Sequence, residues 1–416
     1  MPSTAASTQD LAEFGRRAAA WLAQSAAPRS QEDAWGAGSD SVAVFHDLPH
    51  EDELALLRQV GEWQRCKYDA GFGALTWPVE LGGMGLSSAY EEAFNALEVA
   101  YDVPPAHELS SVTLHLVAPT LRLFGTPHQV ATHLRPLLRG DELCCQLFSE
   151  PAAGSDLSGL GTRAVRDGDD WVVTGQKVWS SGAQFAQWGE LIARTDPDAV
   201  KQAGLTAFLL PLDLPGVDVR PLRQMSGGTS FCEVFLDEVR IPDSLRLGDV
   251  GAGWKVALAT LGFERGHSGA SSRVGGGWQQ LLPLAQELQR DTDPHVRQLL
   301  ADVWISEQVA RLAAQRDHES RLSGDEPGPV GSLRKLHWVQ GMALASEAAA
   351  AVLGPRLAAD TGEWGTFAWT EHLLGAPGYR IAGGTDEIQR NIIGDRLLGL
   401  PAEPRQDRGP WRDVPR

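Results

Sequence analysis

Four stretches of the 416-residue chain concentrate small residues, hydroxyls and carboxylates in patterns that can hold a ligand or move a proton. Phe148-Ser149-Glu150-Pro151-Ala152-Ala153-Gly154-Ser155-Asp156 is the first. Its small residues let a backbone approach a ligand closely, and its serine hydroxyls and loop N–H groups suit a polar ring edge or a phosphate. The same residues also make a plain turn. Gly175-Gln176-Lys177-Val178-Trp179-Ser180-Ser181-Gly182-Ala183 offers an indole that can cover an aromatic group, with hydroxyls just beyond it to reach the edge. A core tryptophan beside an exposed serine pair is the alternative. Gly262-Phe263-Glu264-Arg265-Gly266 ends an apolar helical pattern. At about 100° per residue, Trp254, Leu258, Leu261 and Arg265 share a stripe, with Glu264 at its edge beside Ala257. A carboxylate against an apolar face is either paired with a cation or kept for proton transfer. In Ile381-Ala382-Gly383-Gly384-Thr385-Asp386-Glu387-Ile388-Gln389-Arg390, a glycine pair precedes a threonine that opens a helix. That is an anion-friendly N-terminus or an ordinary cap.

The elements that must position these stretches fall into three segments. Helical spacing runs from about 9 to 145, as in Leu54, Leu57, Val60 and Gln64, and Leu11, Phe14, Ala18, Trp21 and Leu22 suit an amphipathic first helix rather than a transit peptide. Between 146 and 246 the texture becomes short strand-like runs, among them 171–174, 191–193, 206–210, 217–219 and 233–236, separated by turn signals. Such spacing predicts a small antiparallel barrel or sandwich. From 247 to 416 helices return, at about 254–288, 296–322, 333–353 and 385–398, predicting an antiparallel bundle. The expected architecture is multi-domain α+β: helical 1–145, β 146–246, helical bundle 247–416.

With 43% hydrophobic residues, the chain can bury the cores of two or three such units. A net charge of −18 argues against a broad nucleic-acid or anionic-membrane surface while leaving room for a local basic pocket. The four cysteines lack disulfide-framework or metal-ligand spacing, so no metal site is expected and a reducing, cytoplasmic setting is. No apolar run approaches the ~18–20 residues of a membrane span.

In their order and spacing these motifs resemble the acyl-CoA dehydrogenases, over about residues 70–400. The Ser-Glu-Pro-x-x-Gly-Ser-Asp loop is the most specific, followed by Lys177-x-Trp179-x-Ser181 and Gly384-Thr385-x-Glu387-Ile388-Gln389-Arg390. Trp77-Pro78, Glu80 and Gly82-Gly83-Met84-Gly85-Leu86-Ser87 add to them. The resemblance implies an N-terminal helical domain, a middle β-barrel and a C-terminal four-helix bundle, with FAD between barrel and bundle. Gln146, Phe148, Ser149, Gly154 and Ser155 would line the flavin, Ser149 at its pyrimidine edge and Ser155 also near the coenzyme A chain. Trp179 and Ser180 would flank the ring, Ser181 would reach the N5 region, and Thr385 and Glu387 would meet the cofactor from the tail motif. Many members carry the catalytic glutamate in a Glu-Gly-Thr run, but that slot here is Gly383. Others place the base at the Glu of a Glu-Arg pair on the long helix, which Glu264 and Arg265 match, Arg265 on the substrate side. An Arg-x-x-Phe-Gly element that meets FAD of a neighbouring subunit is missing around 275–295, with Arg273, Arg290 or Arg297 as replacements.

The implied reaction is α,β-desaturation of an acyl-CoA thioester, with the α proton leaving to Glu264 and the β hydride to flavin N5. Implied partners are the acyl-CoA, an electron-transfer flavoprotein as acceptor, and further subunits in a homo- or hetero-tetramer. Two rivals are a flavin monooxygenase or oxidase on the same scaffold and a degenerate subunit that completes another chain's site.

Overall fold

The computed structural model describes residues 8–29, 42, 44–45, 48–267, 276–322, 330–358, 366–401, 404, 407 and 409–414. Helices α1 (Thr8–Ser25), α2 (His50–Asp69) and α3 (Ser88–Glu98) open the chain. Phe14, Ala18 and Leu22 of α1 are buried at the expected spacing, in one cluster with Phe72, Leu75 and Phe94. Next, α4 (Glu108–Val112) and α5 (Ala118–Phe124) join through a π turn into one helical run, 108–124. Helices α6 (Pro127–Gln129) and α7 (Arg135–Arg139) form a second such run, opened by a reciprocal Thr126–Gln129 capping box.

The strands are β1 (Cys144–Leu147), β2 (Arg163–Asp167), β3 (Asp170–Ser181), β4 (Trp188–Arg194), β5 (Leu205–Pro211), β6 (Val217–Leu222), β7 (Phe231–Pro242) and β8 (Arg246–Leu247). They form one sheet of order β6-β7-β3-β2-β4-β5-β8, with β1 alongside β4. The sheet is not wholly antiparallel, as the sequence suggested. β1 runs parallel to β4, and β2 meets β4 in parallel at Arg163 and Arg194. The chain arrives at β1 from a helix on the sheet's face rather than through a hairpin, and that entry permits a parallel neighbour. β1 also crosses the expected 145/146 boundary. Its four residues are too short for an alternating pattern to register.

Helix α8 (Gly253–His267) packs against β4, β5 and the 108–124 run. Helices α9 (Trp278–Glu287), α10 (Pro294–Leu322), α11 (Val330–Leu353) and α12 (Thr366–Tyr379) share one core containing Leu284, Leu300, Ala349 and Trp369. The single helix expected over 254–288 is instead α8 and α9, residues 268–275 between them lying outside the described set. Helix α13 (Asp386–Ile392) continues as a π turn to Leu397. Past it, the tail returns to the β domain. Trp411 Nε1 donates to the Gly159 carbonyl at 3.0 Å, and its ring covers the Arg194 guanidinium at 4.2 Å. Arg412 pairs with Asp198, and Lys201 bridges Asp156 (2.7 Å) to Asp407 (3.1 Å).

Candidate cofactor and substrate site

The first two sequence stretches converge through a buried ion pair. Lys177, completely buried on β3, donates from Nζ to Glu150 Oε1 at 2.9 Å and to the Phe148 carbonyl at 3.1 Å. Glu150 also accepts the Gly161 and Thr162 N–H groups at 2.7 and 2.9 Å. Burial pushes the Glu150 carboxyl up, but Lys177 and the N–H donors outweigh it and hold it below its ordinary value, while burial pulls Lys177 down. The Val178 N–H donates to the Ser149 carbonyl at 2.9 Å, and Glu150 and Ala153 exchange both backbone bonds. The 148–156 loop is thus a fastened turn, with Gly154 and Ser155 exposed at its tip. A Cβ on Gly154 would meet nothing within 4 Å, so the protein's own packing does not demand glycine there.

Trp179 has φ +61°, a left-handed conformation costly for a bulky residue, within a register shift between Lys177 and Ser180. The irregularity turns the indole outward, 61% exposed, with its edge against Phe231 at 5.9 Å. Phe231 continues through Phe45 to Tyr379 of α12, linking the indole to the helical layer. Ser180 is buried and its hydroxyl has no partner, and the buried Gln146 Nε2 has none either. An unpaired buried hydroxyl next to an outward aromatic plate, with an open glycine loop, fits a polar-edged ring such as a flavin.

The Ser181 hydroxyl donates to Glu108 Oε1 at 3.1 Å. Burial raises the Glu108 carboxyl, with Ser181 and then His107 opposing. Sequence reasoning passed over Glu108, whose only local signal is its place at the start of α4.

The tail motif is built as a cap. Thr385 Oγ1 accepts the Ile388 N–H at 3.2 Å, and Gly383 and Gly384 both have positive φ. Asp386 pairs with Arg380 at 2.8 Å, Lys335 donates to the Gly384 carbonyl, and Gln389 donates to that of Gly383. Glu387 is exposed beside Arg390 at 3.4 Å.

On α8, the buried positions are Gly253, Val256, Ala257 and Thr260, whereas Leu258 is 40% exposed. The inward stripe is therefore rotated from the expected Trp254–Leu258–Leu261 one, because packing against β4 and the 108–124 run, rather than side-chain size, chooses the face. Position 264 lies on the same helix, seven residues on from Ala257 and one turn on from Thr260. The side chains of Glu264 and Arg265 lie outside the described residues. So does Arg273, while Arg290 is engaged by Asp293 at 3.0 Å and Arg297 is exposed. Facing Thr260 is a residue without any sequence signal, the fully buried Glu190 of β4, whose Oε1 accepts the Thr260 hydroxyl at 2.7 Å. Burial pushes its carboxyl up to about 8, against the pull of that hydrogen bond.

Comparisons with known proteins point to one family. Family models for the N-terminal, middle and C-terminal domains of acyl-CoA dehydrogenase match residues 43–141, 145–239 and 251–398. Acyl-CoA dehydrogenase IpdE1 of Mycobacterium tuberculosis is 37% identical over 400 residues, covering 95% of this chain and 99% of its own. The human mitochondrial short-chain specific acyl-CoA dehydrogenase is 30% identical over 372 residues, covering 86% and 85%. Among solved structures, the ChsE4–ChsE5 complex of M. tuberculosis superposes with a TM-score of 0.70 at 27% identity, over 96% of this chain and 100% of that one. Among the described residues no helix is long and apolar enough to cross a membrane. Three matched domains in the family's order, a fastened glycine loop and an outward indole lead to one assignment: the chain belongs to the acyl-CoA dehydrogenases, FAD-dependent oxidoreductases acting on acyl-CoA thioesters.

Proposed function

We propose that FAD binds against the 148–156 loop and Trp179, and that Glu264 is the base which takes the α proton of the acyl-CoA. The observation that carries this reading is the Lys177–Glu150 lock, which fixes the glycine loop beside an indole held outward at unusual backbone cost. Phe148, Ser149, Gly154, Ser155, Trp179, Ser180 and Ser181 would hold the flavin, Gln146 would reach it through the amide oxygen, and Thr385 and Glu387 would approach from the bundle. Ser155 and Arg265 would face the coenzyme A thioester. FAD, when bound, supplies a hydride acceptor for the β carbon. The protein's own part is to orient the thioester, exclude water and hold one carboxylate at the α carbon. The backbone position of Glu264, one helical turn on from the buried Thr260, supports that role, since desolvation raises a carboxyl's pKa toward the working pH at which an ionised base takes up a proton. Gly383 has no side chain to offer, so the rival base position is vacated.

At the level of architecture, we take the domains as 1–145, 146–246 and 247–416, the sheet as a closed barrel and α9–α12 as a four-helix bundle. The shared core of those four helices supports the bundle. We also take the enzyme to be a homo- or hetero-tetramer that passes electrons to an electron-transfer flavoprotein in the cytoplasm. Exposed Trp304, Ile305, Val309 and Leu312 on α10 offer an apolar face for a second subunit, and all four thiols are free.

The test is anaerobic stopped-flow mixing of the yellow holoenzyme with a panel of acyl-CoA thioesters. Glu264→Gln is expected to lower the flavin-bleaching rate by ~10²–10⁴-fold, the usual contribution of a positioned base, while FAD stays bound. Bleaching at the wild-type rate would remove Glu264 from the role. Rapid reoxidation by air with oxygen insertion would favour a monooxygenase.

A further inference from the structure

Glu190 is a fully buried carboxylate in the β4–α8 seam, and half of it is left unanswered. Its Oε1 has the Thr260 hydroxyl, but Oε2, equally buried, has no partner. Thr260 is committed elsewhere too, lying 2.9 Å from the Thr120 hydroxyl, which itself bonds the Leu116 carbonyl at 2.8 Å. On the neighbouring strand, Gln146 stands in register with Glu190. In-register residues of paired strands point to the same face. The Gln146 Nε2 is likewise buried and unpartnered. An unpaired donor thus lies beside an unpaired acceptor in a seam otherwise lined by Leu116, Phe148, Ile192, Leu209, Val256 and Ala257. Leaving either atom unmatched costs about 1–3 kcal/mol, so the pair is expensive unless something arrives to complete it.

Its position says what arrives. Thr260 precedes position 264 by one helical turn, ~6 Å along the axis of α8. On the reading that Glu264 meets the α carbon, an acyl chain running down the inward face of α8 comes level with Glu190 after roughly four to five carbon–carbon bonds. We infer that Glu190, with Gln146, is a specificity determinant that recognises a hydroxyl or carbonyl oxygen on the distal part of the acyl group. A protonated Glu190 can donate to a carbonyl, and the Gln146 amide can donate to either oxygen. Either form of the carboxyl can accept from a hydroxyl. Burial favours the protonated form at neutral pH. A plain hydrocarbon chain answers neither group and so forgoes the stabilisation that an oxygenated chain gains.

This inference rests on the proposed substrate orientation, and its test separates the two. The probes are octenoyl-CoA, a reaction product that binds without turning over, and analogues bearing one hydroxyl or oxo group at successive carbons toward the far end. Binding to the FAD-loaded protein is followed by calorimetry and by the shift in the flavin spectrum. The wild type is expected to bind one oxygenated analogue ~10–100-fold more tightly than octenoyl-CoA. Glu190→Leu and Gln146→Met should each shrink that ratio toward one. Glu190→Gln, which keeps shape and polarity, should retain a hydroxyl preference, guarding against loss through misfolding. A wild-type ratio below two at every position, or a preference that survives in Glu190→Leu, would overturn the inference while leaving the dehydrogenase reading intact. Failure of every thioester to bind would overturn both.

Discussion

The lock between Glu150 and Lys177 makes an asymmetric prediction. Replacing Glu150 by Gln keeps the shape but takes the countercharge from a completely buried ammonium, which is left with neutral acceptors such as the Phe148 carbonyl. Breaking a buried pair from this side costs about 3–5 kcal/mol. Replacing Lys177 by Met is gentler. The Glu150 carboxylate keeps two backbone N–H donors and is 10% exposed, so the expected cost is about 1–3 kcal/mol. The double variant should be markedly less destabilised than the sum of the two, because no unpaired charge remains. The sign with pH follows from the lysine. Its folded-state pKa is depressed, so the unfolded chain binds more protons and stability rises with pH. In Glu150→Gln that depression deepens, and the deficit should shrink between pH 7 and pH 9. Urea unfolding of the holoenzyme, followed by circular dichroism and flavin release, measures all three variants. Equal and additive costs, or a Glu150→Gln deficit flat across that pH range, would refute the idea that an isolated buried ammonium is what the carboxylate prevents.

Three further outcomes are expected. Trp179→Ala removes an exposed plate and leaves the backbone conformation unchanged, so the protein should remain folded yet release flavin more readily in equilibrium dialysis. Glu190 has a folded-state pKa of about 8 against an ordinary 4.5, so the native state binds the extra proton and its stability falls as pH rises through that window. Relative to Glu190→Gln, the wild type should lose roughly 2–3 kcal/mol between pH 5 and pH 7, visible in denaturant midpoints. Parallel curves would show that the carboxyl is not buried in solution. Leu312→Glu puts a charge on the exposed α10 face and should shift light scattering toward smaller assemblies, whereas an unchanged mass would place the interface elsewhere.

The sequence made some of this legible and hid the rest for physical reasons. The glycine loop and the Lys-x-Trp-x-Ser run were readable because their residue types are unusual wherever they occur. The long helices at 294–322 and 330–353 were readable from length and periodicity. β2 was not, since four of its five residues are exposed and two are arginines. The inward face of α8 was misjudged because Ala257 and Thr260 are small, and burial there is decided by what the sheet and the 108–124 run leave space for. Glu108 and Glu190 gave no signal. A lone carboxylate in a strand or at a helix start reads as surface, and only tertiary contact shows it buried.

The tail that settles over the β domain sets an order of assembly. Gly159 and Trp411, joined by a hydrogen bond, are 252 positions apart. At ~5–20 residues per second of synthesis, roughly 10–50 s separate their emergence from the ribosome. Throughout that interval the strands around Gly159 are already made, yet the Arg194 guanidinium still waits for the indole that will cover it. The contact that covers Gly159 and Arg194 is therefore a late one, made by residues translated long after the strands they settle on.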